Sequence, residues 1–267
     1  MSVLEEIIAG VREGLARRKS DVGAADIERL AREATPAIDV VERLRSRTTL
    51  GLFAEVKRSS PSKGALADIP DPAALARAYE GGGATAISVL TEERRFAGSL
   101  ADLDAVRSRV GIPVLRKDFM VEDYQIYEAR AHGADVVLLI VAALSDAHLQ
   151  HLYALARSLG MRVLVEAHTP AEVDRALASE AELIGVNARN LKTLEVDLDY
   201  ACSLLGAIPG NRLAVGESAV ATLADVRAYA RAGADAVLVG EALVRHAEPA
   251  EAARDFRSVE RRGRAQR

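Results

Sequence analysis

The sequence predicts an α/β fold: a closed (β/α)8 barrel of the TIM-barrel type, preceded by an N-terminal helical extension. Three observations predict it. Short, nearly unbroken apolar runs recur eight times from residue 52 onward, at 52–57, 83–90, 114–117, 133–140, 162–166, 181–187, 212–217 and 233–240. Most are separated by segments of helical spacing, such as 72–80, 121–132, 146–159, 170–179 and 222–232. Alternating strand and helix implies parallel strands, and strands covered on both faces read as continuous apolar runs. Third, Gly83-Ala84, Gly133-Ala134 and Gly233-Ala234 each lead into a strand, at separations of 50 and then 100 positions. That half-period favours closure. An open doubly wound sheet is the alternative, and the Gly-x-Gly-x-x-Gly that would mark one is missing after the first strand.

Before the first strand, Val3, Leu4, Ile7, Ile8, Val11 and Leu15 recur at helical spacing, predicting a helix over 2–19. Further helical stretches follow at 24–34 and 37–46. The whole chain, 1–267, is expected to be one domain: extension 1–47, barrel 48–256, and a basic tail 257–267 expected to be solvated or disordered.

Composition narrows the function. The chain has 267 residues, 49% of them hydrophobic and 28% charged, enough for a large core. A net charge of −4 argues against a broad nucleic-acid-binding face, yet allows an anionic substrate where a few cations converge. No apolar run reaches the roughly 18 residues needed to span a bilayer. The N-terminus lacks the pattern of a signal peptide, so a cytoplasmic protein is expected. The single cysteine, Cys202, excludes an internal disulfide and a cysteine-rich metal site.

The four strands that lie between the Gly-Ala-type ones end in charge: Glu55 and Lys57, Lys117, Glu166, and Glu217. Barrel active sites lie at the C-terminal ends of the strands, so these charges should converge at one mouth, with Asn187 adding an amide. Any one of them alone would read as a solvated strand cap. Together they suit general acid and base work, with pKa values moved toward neutrality by burial and by each other. Gly216-Glu217-Ser218 and Gly240-Glu241 stand where barrels bind phosphate, and Ser60, Ser62, Lys63 and Gly64 could close over the same anion. Phe96 and Phe119 could form an apolar wall for a planar ligand, or simply pack. His148 and His151 read as surface residues, and His168 as a loop residue.

These residues match a family. The chain resembles indole-3-glycerol phosphate synthase in Glu55-Val56-Lys57-Arg58-Ser59-Ser60-Pro61-Ser62-Lys63-Gly64, Ser88-Val89-Leu90-Thr91-Glu92 and Leu115-Arg116-Lys117-Asp118-Phe119. The match continues through Leu164-Val165-Glu166-Ala167-His168, Gly185-Val186-Asn187-Ala188-Arg189-Asn190-Leu191, Gly216-Glu217-Ser218 and Leu238-Val239-Gly240-Glu241. The resemblance implies cyclisation of 1-(2-carboxyphenylamino)-1-deoxyribulose 5-phosphate with loss of CO2 and water, and no cofactor or metal. By similarity Lys117 is the general acid at ring closure, and Glu166 takes part in proton transfer during dehydration together with Lys57; the resemblance leaves open which of the two lysines gives which proton. Glu55 and Glu217 hold and tune the lysines, and Asn187 hydrogen-bonds the substrate. Arg189 and Leu191 line the site, Phe96 and Phe119 flank the aromatic ring, and Ser60, Ser218, Gly240 and Glu241 surround the phosphate. The expected partner is this small molecule, with no nucleic acid or membrane, and the chain a monomer or weak homo-oligomer. Ala219 departs from the glycine often found there, and Asn190 from an aspartate. The alternatives are another phosphosugar barrel, such as phosphoribosylanthranilate isomerase, or a non-catalytic scaffold. The former would want an acid/base cysteine on the first strand, where Glu55 and Lys57 stand.

Overall fold

The computed structural model describes residues 2–190 and 193–264. Eight parallel strands close into a barrel in sequential order. They are β1 (Gly51–Val56), β2 (Ala86–Leu90), β3 (Val114–Lys117), β4 (Val136–Ile140), β5 (Arg162–Ala167), β6 (Leu183–Asn187), β7 (Leu213–Glu217) and β8 (Ala236–Val239). β8 pairs with β1, Gly51 opposite Ala236, which completes the ring.

The two-residue period of each strand sorts its side chains. Leu52, Ala54 and Val56 face outward into the layer of helices, while Phe53 joins the interior of the barrel with Leu115, Leu138, Leu164, Leu183, Val215 and Leu238. The same alternation carries Glu55, Lys117, Glu166 and Glu217 inward, one step nearer the C-terminal end. Alternate strands fill one layer of such a barrel, so four charges on β1, β3, β5 and β7 meet in a single layer.

The extension is α1 (Val3–Asp21), α2 (Ala24–Glu33) and α3 (Val40–Arg45), and the barrel's helices follow as α4 (Pro72–Gly81), α5 (Leu100–Arg107), α6 (Asp123–Ala131), α7 (Asp146–Ser158), α8 (Pro170–Ala178), α9 (Leu198–Leu205), α10 (Leu223–Arg231), α11 (Glu241–Val244) and α12 (Pro249–Arg257). Ser2 starts α1 with a reciprocal capping box to Glu5. These helices reach both ends of the barrel. Val40, Val41 and Leu44 of α3 pack into the interior cluster, with Leu44 against Gly51 at the strand starts. Leu4 and Ile7 of α1 lie at the opposite end, in the mouth. Between them Leu15 and Ile27 pack on Tyr124 of α6 (Asp123–Ala131). No helix among the described residues is long and apolar enough to cross a membrane.

Two of the Gly-Ala lead-ins continue into an aspartate, Asp135 and Asp235, and this echo has a physical basis. Asp135 Oδ2 accepts the N–H of Val114 at 2.8 Å, and Asp235 Oδ2 accepts that of Ala214 at 2.8 Å. Each carboxylate also binds arginine, Asp135 through Arg107 at 2.6 Å and Asp235 through Arg261 at 2.5 Å and Arg264 at 2.7 Å. The second set of contacts corrects the expectation of a disordered tail. Arg257 closes α12 (Pro249–Arg257), Glu260 bridges to Thr49, and Arg264 is nearly buried on Asp235 and on the carbonyls of Ile208, Arg212 and Gly233. A buried aspartate needs cationic partners, and these arginines supply them. The last three positions, 265–267, lie outside the described residues.

Candidate active site

The mouth of the barrel is a cavity of about 640 Å³. Lys117 Nζ stands 3.2 Å from Glu166 Oε2 and 3.2 Å from Glu217 Oε2. Lys57 Nζ lies 2.6 Å from Glu55 Oε2. The three carboxylates are almost wholly buried, with Glu55 at 2% exposure and Glu166 and Glu217 at 1% each. The lysines keep a little more, 14% for Lys117 and 19% for Lys57, so the ammonium groups face the cavity. Two glycines make room for this crowding. A Cβ on Gly185 of β6 would collide with Glu217 Oε1. One on Gly240 would overlap Glu55 Oε2 and sit 3.0 Å from Lys57 Nζ.

The charges are unequal. Burial alone would lower the pKa of Lys117, but Glu166, Glu217 and Glu55 outweigh it and raise the pKa above the ordinary lysine value. This corrects the expectation that burial draws the lysine toward neutrality: with three carboxylates around it, the ammonium is firmly protonated. Burial also pushes Glu166 upward, yet Lys117, His168 and the Asn187 amide hold its carboxyl well below the usual range. Glu217 has only the shared Lys117 to oppose burial and the charge of Glu166, and is pushed up to about 8. The group moved toward neutrality is therefore Glu217. Opposed environments for two carboxylates on one cation separate an ionised group from a protonated one.

Around this layer the loops are specifically braced. Ser59–Ser60 and Gly64–Ala65 form a small antiparallel ribbon after β1. Lys63 at its tip bonds Glu241 Oε1 at 2.8 Å, and Arg245 stands 3.4 Å from the same oxygen. Thus the Glu241 side chain, awkward beside an anion site, is neutralised by cations. Ser218 and Ala219 follow β7 with φ of 64° and 55°, a left-handed turn. Tyr229 steadies it, its hydroxyl donating to the carbonyls of Glu217 at 3.0 Å and Ser218 at 3.2 Å. Buried Glu92 accepts the N–H groups of Arg94, Arg95 and Phe96, which folds the loop after β2 and sets Phe96 6.1 Å from Phe119, centroid to centroid. Arg189 N donates to Asn187 Oδ1 at 3.0 Å, and its guanidinium is tied to Leu194 O at 3.0 Å. Ser60, Ser218, Gly240, Glu241, Phe96, Phe119 and Arg189 all line the cavity. Leu191 lies outside the described residues.

Two features escaped the sequence reading. Val3, Leu4 and Ile7 of α1 also line the cavity, so the extension is part of the mouth. Their signal was the helical period, which reveals a buried face but not what it is buried against. The other is His168, read as a loop residue. Its Nε2 stands 3.3 Å from Glu166 Oε1, and its Nδ1 3.3 Å from Glu172 Oε2. Among the described residues no three His, Cys, Asp or Glu side chains are grouped to hold a metal ion.

A sequential (β/α)8 barrel whose mouth holds a lysine 3.2 Å from each of two buried carboxylates is the arrangement of an enzyme of the acid/base class. The family model for indole-3-glycerol phosphate synthase matches residues 4–256. A protein of that name from Micrococcus luteus is 58% identical over 263 residues, covering 97% of this chain and 98% of its own. Another from Mycobacterium sp. (strain KMS) is 58% identical over 255 residues, covering 96% and 93%. The chain belongs to the indole-3-glycerol phosphate synthase family. Among solved structures, 3-hexulose-6-phosphate synthase from Salmonella typhimurium superposes with a TM-score of 0.65 at 18% identity, over 78% of this chain and 97% of that one, a likeness of fold.

Proposed function

We propose that the mouth cyclises 1-(2-carboxyphenylamino)-1-deoxyribulose 5-phosphate to indole-3-glycerol phosphate with loss of CO2 and water, the carbon–carbon lyase reaction of its family, by acid/base chemistry centred on Lys117. The observation that carries this reading is the Lys117 ammonium held 3.2 Å from both Glu166 and Glu217 in the mouth of the barrel. As the ring carbon attacks the ketone, a carbon–carbon bond forms and negative charge develops on the carbonyl oxygen. A buried, fully protonated ammonium stabilises that charge and delivers its proton to make the hydroxyl. Departure of CO2 returns its bonding electrons to the ring and restores aromaticity. Loss of water then needs an acid at the hydroxyl and a base for the proton that leaves. Glu166, held ionised, fits the base, and Lys57 beside Glu55 fits the acid.

Phe96 and Phe119 would flank the aromatic ring, and Asn187 and Arg189 the polar part of the substrate. Ser60, Ser218 and the backbone at Gly240 would hold the phosphate, with Lys63 close by on Glu241. A cytoplasmic location and a monomer or weak homo-oligomer belong to the same reading. The test is to mix the purified chain with the carboxyphenylamino sugar phosphate and follow indole absorbance and CO2 release. Equimolar indole product and CO2 are expected, and folded protein that yields neither would overturn the proposal.

A further inference from the structure

The imidazole of His168 sits between two carboxylates, and neither the strand-end charges nor the phosphate loops account for it. It follows β5 directly, in the turn before α8 (Pro170–Ala178), and its side chain is only 10% exposed. Nε2 lies 3.3 Å from Glu166 Oε1 and Nδ1 3.3 Å from Glu172 Oε2. Glu172 is itself fixed. Its carboxylate accepts the backbone N–H of His168 at 2.8 Å, and its own N–H donates to Thr169 Oγ1 at 3.2 Å at the start of α8. The ring is therefore aimed by the first turn of the helix, and its far nitrogen faces the Glu166 oxygen that is turned away from Lys117.

We propose that His168 is a positioning residue for Glu166: as an imidazolium braced by Glu172, it fixes one carboxylate oxygen and keeps Glu166 ionised while the other oxygen faces Lys117. This rests on the reading of Glu166 as a proton-transfer group. Nδ1 is hydrogen-bonded to Glu172, while Nε2 is within ion-pair distance of Glu166 but outside hydrogen-bond geometry; a buried ring set between two carboxylates is favoured as the imidazolium by their charge. Burial works against that charge, but the contacts to Glu166 and Glu172 outweigh it and push the pKa up to about 9. The other groups facing this cluster are Lys117 from β3, the Asn187 amide from β6, and Arg175 beside Glu172 on α8. Glu217 is flanked by no second cation of this kind, which explains why the two carboxylates on Lys117 differ.

The test compares His168→Gln, Glu172→Gln and Glu166→Gln with the parent. In His168→Gln the amide retains the volume and a donor but not the charge, so the Glu166 pKa rises. Glu166 stays ionised at pH 7 all the same, so the loss read there is one of orientation: kcat at pH 7 should fall roughly tenfold with KM within about threefold. In Glu172→Gln the ring should lose protons at lower pH, and the His168 ring resonances in an NMR titration report this directly. In the parent that titration should show the ring cationic through pH 8. An unchanged kcat at pH 7 in a folded His168→Gln, or a ring already neutral at pH 7.5 in the parent, would overturn the proposal. Should His168→Gln not fold, the Glu172→Gln profile and the parent titration decide it. Glu166→Gln separates the two levels: near-parent activity there removes the role of Glu166 itself, whereas an inactive Glu166→Gln beside an unaltered His168→Gln removes only His168.

Discussion

Lys117 Nζ lies 3.2 Å from Glu217 Oε2, the same distance at which it meets Glu166, yet Glu217 is pushed up to about 8 while Glu166 stays ionised. One cation cannot satisfy two buried anions, so the carboxylate with fewer other partners takes up the proton. The pair then titrates as a unit, with Glu217 on the side nearer neutrality. Above pH 8 a second full anion would press on Lys117 and make it a weaker acid. The rate should therefore show a basic limb near pH 8 that is missing in Glu217→Gln, whose amide mimics the protonated form. Steady-state profiles of kcat from pH 6 to 10 check this, and an identical basic limb in the variant would refute it.

Stability should fall as pH rises through the same region. Glu217 is raised from 4.5 to about 8 and His168 from 6.5 to about 9, so in both cases the folded state binds the proton more tightly. Their stabilising contribution is full below the unfolded value and is lost as pH climbs through the folded one. Each group gives a slope of at most about 1.4 kcal/mol per pH unit within its window. Thermal midpoints should decline between pH 4.5 and 9, most steeply between about 6.5 and 8 where both groups contribute. Glu217→Gln should flatten the part from 4.5 to 8, and His168→Gln the part from 6.5 to 9.

Gly240→Ala should disable the Glu55–Lys57 pair without unfolding the barrel. The added Cβ would overlap Glu55 Oε2 and press on Lys57 Nζ at 3.0 Å. The backbone there has no positive φ, so the effect is one of space alone. We expect kcat to fall about tenfold or more while stability changes by roughly 1–2 kcal/mol, since only side-chain ends must shift. Parallel kinetics and chemical denaturation measure both, and an unchanged kcat would remove Lys57 from the chemistry.

A buried ion chain ties the extension to the catalytic strand. Arg18 Nε of α1 bonds Glu128 Oε1 at 2.7 Å, Glu128 Oε2 meets Arg116 at 3.0 Å, and Arg116 meets Asp118 at 3.0 Å, on either side of Lys117. Glu128→Ala strips Arg116 and Arg18 of a shared partner in a dry interior. Breaking such a pair should cost about 3–5 kcal/mol, read from urea midpoints.

The strands and the inward charges were legible because both obey a short period: apolar runs of strand length, with Glu55, Lys117, Glu166 and Glu217 at the same phase of their strands. The 100-residue echo of Gly133 in Gly233 was legible because the same aspartate job recurs half a barrel later. What was hidden depends on contacts between distant segments. Arg261 and Arg264 look like a solvated tail until Asp235 is seen beneath them. His168 looks like a loop residue until α8 brings Glu172 back to its ring. The pKa direction of Lys117 was likewise out of reach, because spacing along the chain does not reveal how many anions share one cation.

The central claim is that Lys117 supplies the proton at ring closure, and the most direct measurement is the single-turnover rate of product formation by Lys117→Ala. The variant should retain the barrel by circular dichroism and still bind the substrate, yet form the indole at least about a thousandfold more slowly than the parent, the scale expected when a buried acid is removed. A folded Lys117→Ala that turns over within tenfold of the parent would contradict the account.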